Sequence, residues 1–266
     1  MTSRRLDRPG GPIGYRREGD GPPLLLLHAT LSSGRQLRGL AGRLAASHTV
    51  LAVDRRGHGE STAAAPEPLL PIDVAVHLDD LAAVLDDAGF ERADVVGHSY
   101  GGCVGLELAA RRPDRVGRVV AYEPPYLSVA PEGTLGAKAD VGARTLQAAE
   151  RDGAAAAALT FMAGVSGEAA VAALTDAARE RIGRAGAGAI ADATLAGMEP
   201  AGLADIVAPV LIATGTASEP IYGEVADALR QRIAGATVAV VDGADHLAPL
   251  TRPDALAALV EDFLSS

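Results

Sequence analysis

The 266-residue chain predicts an α/β protein: a mostly parallel central sheet flanked by helices, interrupted by a helical insertion. Three observations predict it. Short runs rich in Val, Leu and Ile recur between Gly, Pro and Asp; segments of helical spacing separate them; and the alternation lapses once, over 126–205.

The runs fall at 24–28, 50–54, 93–97, 118–122, 210–214 and 237–241. Their centres are continuously apolar and not alternating, which suits strands buried on both faces of a parallel sheet. Helical spacing appears at 74–88, 102–111, 222–233 and 253–263, so strand and helix alternate as βαβ units require. The stretch 126–205 is rich in Ala and Gly and reads as several helices without a strand. The expected organisation is therefore one core built from 1–125 and 206–266, with 126–205 inserted between the runs at 118–122 and 210–214.

Composition narrows the function. A net charge of -10 and a pI near 5.1 argue against nucleic acid or an anionic membrane as partner, since both attract basic surfaces. With 48% hydrophobic residues there is material for a sizeable core. Cys103 is the only cysteine, so no intrachain disulfide forms and a reducing, cytoplasmic setting is expected. The N-terminus is charged and lacks the apolar core of a signal peptide. A small-molecule substrate is the expected partner, with a homodimer left open.

The chemistry is concentrated after the run at 93–97. There, Gly97-His98-Ser99-Tyr100-Gly101-Gly102 leads straight into helical spacing, giving G-x-S-x-G in its meaningful context of strand, sharp turn and helix. The glycines admit close neighbours, the turn lifts the Ser99 hydroxyl above the sheet edge, and the helix start aims N–H groups at the same point. The Tyr100 N–H is one natural oxyanion donor. A serine hydroxyl needs an adjacent base held by a third group, and His246, just beyond the run at 237–241, is the best candidate. His98 should point elsewhere and bond structurally. His28 and His58 sit in loops where structural bonding is the expected role, and His48 and His77 read as surface residues.

Taken in order, Leu25-Leu26-Leu27-His28, Val53-Asp54-Arg55-Arg56-Gly57-His58-Gly59-Glu60-Ser61, the Ser99 turn and Asp245-His246 resemble the α/β-hydrolase superfamily over nearly the whole chain. The likeness is to small serine esterases and cofactor-free haloperoxidase-like hydrolases. It implies an α/β-hydrolase fold, a lid near 126–205 inserted between the sixth and seventh strands of that fold, and a second oxyanion donor at the Thr30 N–H, in a loop where Ala29 replaces the usual glycine. It also implies a triad acid three residues after Gly215, but Ser218 stands there, and serine cannot stabilise an imidazolium as a carboxylate does. Glu123, at the end of the preceding strand, is the preferred replacement, as some members carry their acid there. Glu219 is the alternative. The order Ser99, Glu123, His246 fits Ser, then Asp/Glu, then His.

The expected activity is serine hydrolysis of an ester or related acyl bond in a small apolar substrate, needing no metal, nucleotide or organic cofactor. Tyr126, Phe161, Met162 and Met198 are the expected pocket walls. A cofactor-independent lyase or cyclase, or a ligand-binding member without turnover, remains the alternative on the same scaffold.

Overall fold

A computed structural model of the chain describes residues 2–64, 69–195, 197–200 and 202–266. Its centre is an eight-stranded sheet in the order β1-β2-β4-β3-β5-β6-β7-β8, comprising β1 (Thr2–Leu6), β2 (Ile13–Glu18), β3 (Pro23–Leu27), β4 (Thr49–Val53), β5 (Ala93–His98), β6 (Val116–Tyr122), β7 (Val210–Gly215) and β8 (Thr237–Val241). The first two strands pair antiparallel with their neighbours; all later pairings are parallel. This is the mostly parallel sheet and α/β-hydrolase fold expected.

The period of two is visible in how the strand residues divide. Leu25, Leu27, Leu51, Val53, Val95, Val119, Ala121 and Ile212 join one apolar cluster, whereas Leu24, Leu26, Val50, Ala52, Val96, Val120, Leu211 and Ala213 join the other. Successive side chains point to opposite faces, so an uninterrupted apolar strand feeds both cores. α1 (Arg38–Leu44) and α11 (Pro253–Ser265) cover the second face, through Leu40, Leu44, Leu256 and Val260. α2 (Val74–Ala88), α3 (Tyr100–Arg111) and α9 (Pro220–Arg232) cover the first, through Leu81, Leu85, Leu106, Val225 and Leu229. α2 is bounded by Asp73, whose carboxylate accepts from the Ala75 N–H, and by left-handed Gly89, an N-cap and C-cap pair that fixes both ends.

Between β6 and β7 the described residues form helices and no strand: α4 (Val141–Asp152), α5 (Ala154–Ser166), α6 (Glu168–Ala172), α7 (Asp176–Gly183) and α8 (Gly186–Ala191), with short 3₁₀ turns before and after them. The remaining helix, α10 (Ala248–Thr251), precedes α11. Among the described residues no helix is long and apolar enough to cross a membrane.

The two N-terminal strands were not expected. β1 is exposed along most of its length and carries Arg4 and Arg5, so it lacks the continuous apolar signature. β2 is buried through Ile13 to Arg16, but its short Ile-Gly-Tyr-Arg core is no longer than a loop would be.

Candidate active site

β3 neighbours both β4 and β5, and the chain runs from β3 outward to β4 before returning to β5. That reversal opens a crevice at the carboxyl ends of β3 and β5, the usual ligand position in open α/β sheets. The loop after β3 and the turn after β5 meet there. A cavity of about 240 Å³ occupies the crevice, and Ala29, Thr30 and Leu31 line it together with Ser99, Tyr100 and His246.

The serine turn is as tight as its glycines allow. A Cβ on Gly97 would lie 2.4 Å from the Gly101 carbonyl oxygen, and one on Gly101 2.4 Å from that of Leu27. Ser99 itself has φ 54° and ψ -122°, a conformation that costs a non-glycine residue roughly 1–3 kcal/mol and is held by the surrounding structure. Among the described non-glycine residues, only Leu31, Ser99 and Glu123 have positive φ. Ser99 and Glu123 directly follow β5 and β6, and Leu31 lies in the loop after β3. In the β3 loop the left-handed residue is thus Leu31, not Ala29 in the usual glycine's place. Tyr100 opens α3 directly after Ser99, and a first-turn N–H has no intrahelical acceptor.

Glu123 leaves β6 as a wholly buried carboxylate, its own N–H donating to the Ala213 carbonyl at 2.9 Å. Its Oε2 lies 2.7 Å from His246 Nδ1. Its Oε1 accepts from the Gly215 N–H at 2.9 Å and from the Ser218 hydroxyl. The residue standing where the acid is usual therefore donates to the carboxylate that reaches the histidine. Glu219, the alternative, is exposed and pairs with Lys138 Nζ at 2.7 Å. Asp245 bonds the Leu247 N–H through Oδ1 and the Tyr122 hydroxyl through its carbonyl. Neither reaches His246.

The His246 ring is held on its faces as well. Tyr222 of α9 stacks on it, with centroids 4.6 Å apart and planes 14° apart. His98 lies 4.9 Å away, and its Nε2 donates to the His246 carbonyl at 2.7 Å. His98 does bond structurally, but it lines the cavity and does not point away from it. No hydrogen bond joins Ser99 to His246 among the described residues. Such contacts are commonly loose until substrate is bound.

Phe161 and Met162 of α5 line the cavity, with Val165, Ile182, Leu127 and Leu250 completing an apolar wall. Two expected wall residues do not. Tyr126 is fully buried, its hydroxyl donating to Glu107 Oε1 at 2.9 Å and the Cys103 carbonyl at 3.1 Å; a phenol in this position needs a partner and finds it in α3. Met198 packs part-buried against the core and its carbonyl accepts from Ser128. Tyr222 has no motif to announce it: only the rotation of α9 about its axis brings it onto the imidazole. The Cys103 thiol is buried and its pKa is pushed up, chiefly by burial, which removes it as a nucleophile.

His48 and His77 are buried, not exposed as expected. Burial, then the Arg55 charge, lowers the His77 pKa from 6.5 to about 3, with Asp192 partly opposing and His58 and Arg56 adding to the effect. His28 and His98 are also pushed down, chiefly by burial. A native state that keeps a histidine neutral loses stability once the unfolded chain can protonate it. His77 therefore has no effect above pH 6.5 and destabilises progressively as pH falls from there toward 3. The expected loss is about 2 kcal/mol at pH 5 for His77 alone, with His28 and His98 acting in the same direction. Urea unfolding from pH 8 to 5 measures it. His77→Gln should flatten the acid limb, and parallel curves for the two proteins would show another source.

A mostly parallel sheet with a strained serine after β5 and a buried carboxylate–histidine pair from the ends of β6 and β8 defines the class: an α/β-hydrolase site. The model of the alpha/beta hydrolase family matches residues 24–259, and the chain belongs to that family. It is 31% identical over 148 residues to a 2-(acetamidomethylene)succinate hydrolase of Mesorhizobium japonicum, covering 55% of this chain and 52% of that one. It is 38% identical over 114 residues to the lipase LipV of Mycobacterium tuberculosis, covering 43% and 39%. The chain spans about half or less of the length of these curated relatives. An α/β hydrolase from Sphaerobacter thermophilus superposes with a TM-score of 0.82 at 29% identity, covering 98% of this chain and all of that one.

Proposed function

We propose that the protein is a serine hydrolase that cleaves an ester or related acyl bond of a small apolar substrate through an acyl-enzyme on Ser99. The observation that carries this reading is the 2.7 Å contact between Glu123 and His246 Nδ1, the histidine lining the same cavity as Ser99. A carboxylate on Nδ1 keeps the proton there and leaves Nε2 free to accept one.

In this reading Ser99 Oγ attacks the acyl carbon as its proton passes to His246 Nε2. The N–H groups of Tyr100 and Thr30 hold the oxyanion. Collapse breaks the bond to the leaving group, which takes the proton from His246, and water then repeats the sequence on the acyl-enzyme. Glu123 holds the imidazolium throughout. The helices between β6 and β7 act as the lid: Phe161, Met162, Val165 and Ile182 receive the apolar part of the substrate.

Two measurements test the reading on the wild-type protein. A fluorophosphonate probe should add its phosphonyl mass to Ser99, and p-nitrophenyl esters should be hydrolysed with an acyl-enzyme burst. Because the wall is apolar, kcat/KM for the butyrate should exceed that for the acetate by about tenfold, from roughly 0.8 kcal/mol for each of two buried methylenes. Equal values would remove the apolar acyl pocket from the proposal. No labelling and no hydrolysis would favour a lyase, a cyclase or a binding protein.

A further inference from the structure

Next to the Thr30 loop lies a charged cluster that acyl transfer does not use. Asp192, the residue after α8, is wholly buried. Its two oxygens accept from the two terminal nitrogens of Arg55 at 2.7 Å each, and Oδ2 accepts from the Thr30 hydroxyl at 2.5 Å. Arg55 reaches the same loop twice more, donating from Nε to the His28 carbonyl at 3.2 Å and from its backbone N–H to His28 Nε2 at 2.9 Å. His28 Nδ1 in turn donates to the Ala29 carbonyl at 2.7 Å. His58 Nε2 stands 3.3 Å from Asp192 Oδ2. Residues 28 and 30 are thus tied directly to this carboxylate or its arginine partner, and residue 29 is tied to them through the His28 ring.

Burial alone would raise the Asp192 pKa, but Arg55 and His58 outweigh it and hold the carboxyl well below its ordinary range. It is a fixed negative charge. α8 is seated closely enough to deliver it: a Cβ on Gly188 would fall 2.4 Å from the His58 ring, and the Ala191 carbonyl accepts from the Ile72 N–H at 2.9 Å. A buried ion pair is by itself weak evidence of stabilisation, since apolar residues of similar volume often serve as well. What distinguishes this one is its target, a loop whose next residue, Leu31, holds φ 58° and needs outside constraint to stay there.

We propose that Asp192 is a positioning residue for the oxyanion hole: from the helical insertion it fixes the loop at its two ends, at Thr30 through the hydroxyl and at His28 through Arg55, so that the Thr30 N–H points at the developing oxyanion. The proposal rests on the Ser99 acyl-transfer reading. It makes the hole complete only when α8 is docked, so that the insertion contributes to rate as well as to substrate fit.

Thr30→Val is the sharpest test, because it removes the hydroxyl and keeps the backbone N–H. Complete loss of one oxyanion donor lowers kcat by about 10²–10³-fold, and a misaimed donor loses part of that. The expected result is a fall in kcat of roughly 10–100-fold on p-nitrophenyl butyrate with KM nearly unchanged. Inhibition by an alkyl trifluoromethyl ketone should weaken in proportion. That ketone bonds to Ser99 Oγ as the serine proton passes to His246, which leaves its carbonyl oxygen as an oxyanion. Thr30→Ser should recover most of the loss. Asp192→Asn should lower kcat in the same sense, and its effect should not add to that of Thr30→Val.

Wild-type kcat and ketone affinity in Thr30→Val would overturn the proposal. So would a loss that follows the thermal midpoint and is not recovered by Thr30→Ser, which marks a merely structural role. A wild-type protein that neither hydrolyses the ester nor captures the ketone would overturn the acyl-transfer reading itself, and the positioning role with it.

Discussion

Ser99→Ala is expected to lower kcat by about 10⁶-fold and to abolish fluorophosphonate labelling, while leaving the thermal midpoint unchanged or raised. The magnitude follows from the coupling of nucleophile and base. Once the nucleophile is gone, the histidine and its acid have nothing to activate, and removing one member of such a unit costs nearly as much as removing the whole. What survives is the rate supplied by binding and the oxyanion donors, roughly 10³–10⁴-fold over water. The stability arm has a separate origin. Alanine at φ 54° remains strained, so the backbone relief is small, and the side chain lost makes no hydrogen bond among the described residues. Mass spectrometry of the treated protein and single-turnover hydrolysis together decide it. Persistent labelling at another serine would move the nucleophile.

Glu123→Gln is the second large effect, with an expected fall of about 10⁴-fold in kcat and intact overall structure by circular dichroism. Direction and cause can be read from the two carboxylate oxygens. Oε1 takes bonds from the Gly215 N–H and the Ser218 hydroxyl, so in the amide the carbonyl oxygen occupies that side. The NH₂ group is then left facing His246 Nδ1. It donates where the carboxylate accepted, forces Nδ1 to be the acceptor, and places the ring proton on Nε2, where the base should be. The wrong tautomer is thus imposed by neighbours that normally hold the acid in place. Glu219→Gln is the control: exposed and paired with Lys138, it should leave kcat within about twofold, as surface ion pairs contribute little. A large loss in Glu219→Gln with none in Glu123→Gln would reverse the assignment.

Different parts of this site were legible in the sequence to different degrees. The Ser99 turn is a local device: its glycines, its φ and its helix start all lie within a few consecutive residues, so a short window contains the whole cause. His246 was readable through strand order. Glu123 was reached because Ser218 cannot serve as an acid and a carboxylate stands at the next strand end. That Ser218 instead donates to Glu123 depends on β6 and β7 lying side by side, which no local window contains. Tyr222 and Asp192 were invisible for the same reason. Asp192 sits in the stretch Ala-Ile-Ala-Asp-Ala-Thr, with nothing to mark it, and its partners Arg55 and Thr30 are 137 and 162 residues away. Tyr126 and Met198 show the converse. They border the insertion in sequence, yet side-chain direction turns one into the core under α3 and the other away from the cavity. The edge strand β1 escaped because it is exposed, and exposure leaves no apolar pattern to read.

The stacking of Tyr222 on His246 has a consequence of a different kind. The chain contains no tryptophan and five tyrosines, so its near-ultraviolet emission is tyrosine emission alone. Tyr100 and Tyr222 line the cavity, and Tyr122 anchors the His246 loop through the Asp245 carbonyl. The fluorescence of the unlabelled protein is therefore weighted toward the site itself. With an imidazole face to face with one fluorophore, occupancy of the cavity and protonation of that ring are written into a spectrum that needs no added dye.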